Sequence, residues 1–259
     1  MNLLDALILA IVEGLTEFLP ISSTGHMILA SHLLGIENSE FLKTFEISIQ
    51  LGAILAIAVM YMKRFFKSFE IYKKLIVAFI PTATVGFLLY KIIKQYLFNS
   101  WVVSISLILG GILLIIWDKK VKEAQSTINE LEKISYKNAF YIGFIQCISV
   151  IPGVSRAGAS ILGGIFNGLD RNQATEFSFL LAVPTMLAAT SYDLLKTPMH
   201  FTNEQLSLLG IGITGAFISA WIAVRLLIRF LQHHGFGMFG WYRIALGLVF
   251  LILLGFSLI

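Results

Sequence analysis

Six apolar stretches, each near the length a helix needs to cross the ~30 Å hydrocarbon core of a bilayer, dominate this 259-residue chain. They run from Phe41 to Met62, Leu75 to Ile93, Trp101 to Trp117, Ala174 to Leu195, Leu206 to Phe230 and Trp241 to Ile259. Their apolar residues are continuous and do not alternate, so the spanning element is a helix and not a barrel strand. Trp101, Trp117 and Trp241 stand at span ends, where interfacial anchors belong. The composition agrees: 57% of residues are hydrophobic and 13% charged, against about 25% charged in a soluble domain. So little polar cover excludes a soluble enzyme. Cys147 is the sole cysteine, which excludes an internal disulfide framework and a cysteine-based metal site. The net charge of +4 comes with no basic tract interleaved with aromatics, so nucleic acid is not expected as a partner. Met1 to Ala10 carries Asp5 and no Lys or Arg, unlike a signal peptide. The expectation is an all-α polytopic membrane protein, one membrane domain over residues 1–259.

Two further apolar stretches are different. Leu3 to Leu19 contains Glu13 and Glu17 and is stopped by Pro20; Asn138 to Ile151 spans only 14 residues and is stopped by Pro152. Each is followed by a polar turn and a second short apolar segment, His26 to Leu34 and Ala159 to Phe166. Short helix, polar turn and short helix predict a re-entrant hairpin, which enters the bilayer and leaves on the same side. The alternative is two thin spanning helices in each place.

The basic residues orient the chain. If the loops after the first and third spans are cytoplasmic, 13 of the 19 Lys and Arg lie inside, Arg171, Arg229 and Arg243 among them. Only Lys43, Lys91, Lys94 and Lys196 then fall outside, a clear positive-inside bias. The first hairpin therefore opens outward and the second toward the cytoplasm. Asp118 to Lys137, with its alternating charges, reads as a solvated amphipathic linker over residues 118–138.

The halves resemble each other. Glu13-x-x-x-Glu17-x-x-Pro20-x-Ser22-Ser23-x-Gly25-His26 is answered by Gln146-x-x-x-Val150-x-Pro152-Gly153-x-Ser155-Arg156-x-Gly158. Further on, Phe45-Glu46-Ile-Ser48 is answered by Thr175-Glu176-Phe-Ser178. One hairpin and three spans make an odd number of crossings, so the second copy, about 133–259, is inverted relative to the first, about 1–120. Inverted repeats place their site at the repeat interface near mid-membrane, lined by broken helices.

Chemistry-bearing residues converge on the two turns. Glu13 and Glu17 share one helix face about 5–6 Å apart, and two acids at membrane depth need a proton, metal or cation beside them. Ser22, Ser23, Thr24 and His26 add hydroxyls and an imidazole at a helix start, where free N–H groups favour phosphate. Pro152-Gly153-Val154-Ser155-Arg156 repeats the arrangement with a guanidinium, whose donor fork suits phosphate oxygens. Acids and anion-binding turns together point to a buried anion site that also holds a cation. A divalent metal between the Glu pair and a phosphate would neutralise both. Glu46, Glu176, Gln50 and Gln146 are candidates for supporting the site from behind. His32, His233 and His234 carry no metal role, and Arg225 reads as snorkelling to the headgroups.

These residues resemble the undecaprenyl-pyrophosphate phosphatases, also called bacitracin-resistance proteins. That family joins an acidic Glu-x-x-x-Glu segment to a Ser-Ser-x-Gly-His turn, and carries a second motif, Pro-Gly-x-Ser-Arg-Ser-x-x-Thr. The first is intact in Glu13, Glu17, Ser22, Ser23, Gly25 and His26; the second keeps Pro152, Gly153, Ser155 and Arg156. Ala157 stands where the family has Ser, and Ser160 where it has Thr. The resemblance covers the whole chain. It implies hydrolysis of undecaprenyl diphosphate, the lipid that bacitracin acts on, to undecaprenyl phosphate and inorganic phosphate, recycling the carrier for cell-wall synthesis. It implies a divalent cation, magnesium or calcium, and a site facing the outer side of the bacterial plasma membrane. Monomer and homodimer both stay open.

The roles expected on that basis follow from the chemistry. Arg156, with donors from Ser155 and the Gly153 turn, binds the diphosphate and stabilises transferring charge. Ser22, Thr24 and Ser160 add phosphate contacts. Glu13 and Glu17 hold the metal or act as general base. Ser23 is nucleophile or phosphate donor, with His26 as its proton partner or as leaving-group acid. The rival class is a transporter or flippase of polyprenyl phosphate lipids, since inverted repeats with broken helices are a transporter architecture.

Overall fold

Polar residues just ahead of the apolar runs start the helices. Ser39, Ser135 and Thr202 lie in extended backbone and accept from the N–H three residues on, at 3.1, 3.1 and 3.2 Å. Each satisfies one orphan donor of a helix start. The computed structural model describes residues 1–67, 69–121, 128, 130–196, 201–256 and 258. Its helices are α1 (Leu3–Thr16), α2 (Ser23–Leu33), α3 (Glu40–Met60), α4 (Met62–Lys67), α5 (Phe69–Ile92), α6 (Ser100–Val121), α7 (Tyr136–Gln146), α8 (Arg156–Phe166), α9 (Arg171–Lys196), α10 (Asn203–His233) and α11 (Gly237–Gly255). One π-helical turn, Ile93–Leu97, extends α5. Among the described residues there is no strand. Six helices there are long and apolar enough to cross a bilayer, so this is a multi-pass membrane protein.

The spans are those expected, with shifted ends. The helices α9, α10 and α11 start at Arg171, Asn203 and Gly237, each three or four residues before its apolar run. For α10 the Thr202 cap and polar first turn supply backbone hydrogen bonds without adding hydrophobicity, so hydropathy alone misses them. Tyr61 ends α3, and Met62 belongs to α4. The last helix stops at Gly255, and Ile259 lies outside the described residues. Phe87, Leu88 and Ile252 are exposed, as lipid-facing side chains are.

The linker expectation needs correction. Positions 122–127 and 129 lie outside the described residues; 118–121 close α6, 136–138 open α7, and the stretch between them holds two side chains that are not solvated. Leu131 and Ile134 are buried in the central apolar cluster beside a short 3-10 turn, Leu131–Lys133. Glu132 pairs with Arg64 at 2.6 Å, and Lys74 donates to the Glu132 carbonyl. Asp118 is likewise pinned, pairing with Arg171 at 3.0 Å and accepting from the Phe236 N–H at 2.8 Å. Two apolar side chains among the charges decide the outcome, because burying them outweighs solvating one helix face.

Neither α1, of 14 residues, nor α2, α7 or α8, of 11 each, reaches the ~20 residues a span needs. α1 packs on α2, and α7 on α8. Their long neighbours exchange between halves: α1 rests on α10, whereas α7 rests on α5. α3 meets α9, and α6 meets α11. The contact of α1 with α10 is close because of Gly14. A Cβ there would overlap Ser219 Oγ and lie 2.5 Å from the Ala216 carbonyl oxygen.

Candidate active site

The two turns that interrupt the short helix pairs face each other. Ser22 is the residue before α2 and Ser155 the residue before α8, so Ser23 and Arg156 each open their helix. Ser155 caps its own helix, accepting from the Gly158 N–H at 3.1 Å, and donates to the Leu19 carbonyl of the other turn at 3.2 Å. Ser22 makes no such cap, which leaves the first N–H groups of α2 without a side-chain acceptor. Gly153 takes φ +91°, a region that favours glycine. A Cβ there would also lie 2.6 Å from the Val103 carbonyl oxygen.

Glu17, at the end of α1, ties the two helix starts together. Its Oε2 accepts from the Ser23 hydroxyl, and its Oε1 pairs with Arg156 Nη2 at 3.1 Å. Arg156 also donates from Nη1 to the Ser178 carbonyl at 3.3 Å and lies over the Phe18 ring, 5.4 Å from its centroid. Its Nε is buried without a partner. Glu13, one turn back along α1, is 1% exposed, and its Oε1 is buried without a hydrogen bond. A cavity of about 140 Å³ opens here, lined by Glu17, Ser22, Ser23, Thr24, Gln50, Ser149, Val154, Ser155, Arg156 and Met186. Gln50 lies midway along α3 (Glu40–Met60), so the cavity sits at membrane depth.

The sequence candidates therefore separate. Glu17, Ser22, Ser23, Thr24, Ser155, Arg156 and Gln50 line one cavity, with Glu13 behind. His26 does not sit beside the Ser23 hydroxyl. Its Nδ1 meets the Ser22 carbonyl oxygen and its Nε2 the Tyr242 hydroxyl, both at 2.7 Å. The group that takes the Ser23 hydroxyl's hydrogen bond is Glu17, six residues away and facing it across the turn. Ser160 points back into its own helix and to Ser178 Oγ, 2.7 Å away, fully buried and outside the cavity. Gln146 donates to Thr82 and Thr185, at 3.1 and 3.4 Å, away from the acids.

Glu46 accepts from Ser31 at 3.1 Å, while its counterpart Glu176 pairs with Arg64 at 2.6 Å. The two repeat-matched acids thus face different neighbours, and neither lines the cavity.

Sequence reasoning missed Arg243, which it counted only among the charges on the cytoplasmic side. Arg243 is 2% exposed on α11. It donates to the Pro20 carbonyl at 3.2 Å and the Gly153 carbonyl at 3.0 Å, one from each turn, and to Ser106 and Leu107 of α6. The available signal was glycine: a Cβ at Gly110 would overlap the guanidinium.

Comparison with known proteins shows what the whole chain is similar to. The family model "Bacitracin resistance protein BacA" matches residues 6–249. An undecaprenyl-diphosphatase of Aquifex aeolicus (strain VF5) is 52% identical over 247 residues, covering 95% of this chain and 96% of that one. Another, from Persephonella marina, is 52% identical over 252 residues, covering 97% and 99%. One from Campylobacter jejuni is 49% identical over 254 residues, covering 98% and 95%. A match of that extent shows the family: the chain belongs to the BacA bacitracin-resistance protein family.

Proposed function

We propose that this chain hydrolyses undecaprenyl diphosphate to undecaprenyl phosphate and inorganic phosphate in the cavity between the two turns. One observation carries the reading: a single carboxylate, Glu17, accepts from both a serine hydroxyl and an arginine in a polar cavity at membrane depth. The family's named members act on that lipid.

The residues divide the work by their chemistry. The uncapped start of α2 and the Arg156 fork take the phosphate oxygens. The Ser23 hydroxyl attacks the terminal phosphorus and its proton passes to Glu17 Oε2, already its hydrogen-bond partner. An O–P bond forms as the P–O bond to undecaprenyl phosphate breaks, and Glu17 returns the proton to the departing oxygen. Water then attacks the phosphoserine, losing its proton to Glu17. Ser23 leaves with a proton from the same acid and phosphate is freed. Arg156 stabilises the charge in both steps.

The donor set fits a divalent cation, magnesium or calcium. Glu13 Oε1 is buried without a partner, and Glu13 with Glu17 would hold the ion. Among the described residues no cluster of three His, Cys, Asp or Glu is present. Two carboxylates completed by water and substrate phosphate are the usual ligands of magnesium. When bound, such an ion neutralises phosphate charge.

We read the two short helix pairs as re-entrant hairpins of an inverted repeat, supported by their length and by the exchange of packing partners. We place the chain in a bacterial plasma membrane by its family, and the positive-inside bias supports an orientation with the cavity open to the outer side. An enzyme there consumes the lipid that bacitracin sequesters.

The test is phosphate release from undecaprenyl diphosphate in detergent, where transport has no meaning, with label followed on the protein. Labelled phosphoserine at Ser23, and no residual turnover in Ser23→Ala, is the expected result. Lipid transfer in vesicles without any release in detergent would favour a flippase. A loss of only about 100- to 1,000-fold in Ser23→Ala, with no labelled protein, would reduce Ser23 to a hydrogen-bond donor.

A further inference from the structure

The turn that carries Ser23 is held in an unfavourable shape. Ser22 has φ +70°, the only non-glycine positive φ among the described residues. A Cβ disfavours that region by about 10-fold. The side chain of Ser22 makes no cap bond that would compensate. What holds the residue is its carbonyl. The helical N–H of His26 reaches it weakly, at 3.4 Å, while His26 Nδ1 reaches it at 2.7 Å. A carbonyl only accepts, so Nδ1 carries the hydrogen, and in the neutral imidazole Nε2 presents a lone pair. The Tyr242 hydroxyl donates to that lone pair at 2.7 Å, and the two rings are parallel within 3°. The next residue on α11, Arg243, grips the Pro20 carbonyl at 3.2 Å. Consecutive residues of α11 thus hold the turn on either side of Ile21.

We infer that Tyr242 is a positioning residue for the hydrolysis proposed above: through His26 it holds Ser22 in its left-handed conformation and so aims the Ser23 hydroxyl at the cavity. Tyr242 does not line the cavity and touches no reacting atom. His26 acts in the same way, as a tether and not as a proton carrier. The inference rests on the hydrolase reading, so its test includes a readout that needs no turnover.

The experiment is a cycle of Tyr242→Phe measured with serine and with glycine at position 22. Glycine adopts positive φ freely, so a tether has nothing left to hold. With Ser22, Tyr242→Phe is expected to lower kcat about 10-fold, the penalty of the released conformation, and to leave KM within about 2-fold. In the Ser22→Gly background the same change is expected to cost less than about 2-fold. Amide hydrogen exchange at Ser23 and Thr24 should quicken in Tyr242→Phe only when Ser22 is present. Equal losses in both backgrounds, a change confined to KM, or unaltered exchange would each overturn the inference. If the unmodified protein releases no phosphate, the hydrolase reading fails, and the exchange measurement still decides the tether.

Discussion

Arg243→Met separates what the buried guanidinium does for stability from what it does for the site. Its four acceptors are not equivalent. Ser106 and Leu107 lie inside α6, where the helix ladder already serves their carbonyls. The Pro20 and Gly153 carbonyls have no other donor among the described residues. Orphaning two buried carbonyls costs about 1–3 kcal/mol each in soluble proteins, but interhelical bonds in membranes average only about 0.6 kcal/mol. Against this loss stands a gain. No carboxylate pairs with Arg243 among the described residues, so methionine removes a buried unpaired charge while keeping the apolar stem. The opposing terms leave global stability changed by less than about 2 kcal/mol, within a few degrees of melting temperature. Turnover behaves differently, because among the described residues only the Ser155–Leu19 hydrogen bond and the Glu17–Arg156 pair then join the two turns, and a shift of 1 Å costs about 100-fold. Melting in detergent and phosphate release are measured side by side, with Arg243→Lys as the control that keeps charge without the fork. We expect both variants to melt near the unmodified protein and to lose about 100-fold or more in kcat. Full activity in Arg243→Lys would refute the clasp and leave only a requirement for positive charge.

Three further outcomes follow from the geometry. Arg156→Lys cannot span Glu17 and the Ser178 carbonyl together, so phosphate release should fall about 100-fold; turnover within a few-fold of normal would end the fork argument. Glu13→Gln keeps shape and removes charge, so it should raise the divalent cation concentration needed for half-maximal rate, and chelator should silence the unmodified protein. Full speed after EDTA treatment would leave Glu13 and Glu17 as a plain acid–base pair. Gly14→Ala forces a methyl group into the α10 backbone, 2.7 Å from the Ala220 nitrogen, and should cost about 1–3 kcal/mol of stability. An unchanged melting temperature would show that α1 can retreat.

Much of this was legible before any coordinates because the informative residues break their surroundings. Acids, prolines and an arginine within apolar runs stand out, and Glu17, Ser23 and Arg156 do converge. Contacts between residues far apart in sequence were not legible. Arg243 carries the same charge as Arg229, and charge counting assigns both to the cytoplasmic side, although Arg243 has carbonyls from three segments around it. His26 was paired with Ser23 by proximity along the chain, yet the first turn of α2 directs the imidazole back to Ser22 and on to α11. Matching Glu46 with Glu176 across the halves fixes a helix position and not the neighbour on it, so one accepts from Ser31 and the other pairs with Arg64. Ser160 kept its hydroxyl in the sequence and spent it on the helix behind it.

The position of Arg243 on the last helix has a consequence for synthesis. The Gly153 carbonyl that it holds is 90 residues upstream, and the Pro20 carbonyl 223. At about 5–20 residues per second, the second turn waits roughly 5–18 s for its clasp after leaving the ribosome, and the first turn longer. Through that interval the Pro20 and Gly153 carbonyls lack the donor that the complete chain gives them. A chain ending before α11 would lack Tyr242 and Arg243 together, so activity is expected only once the final helix has been made.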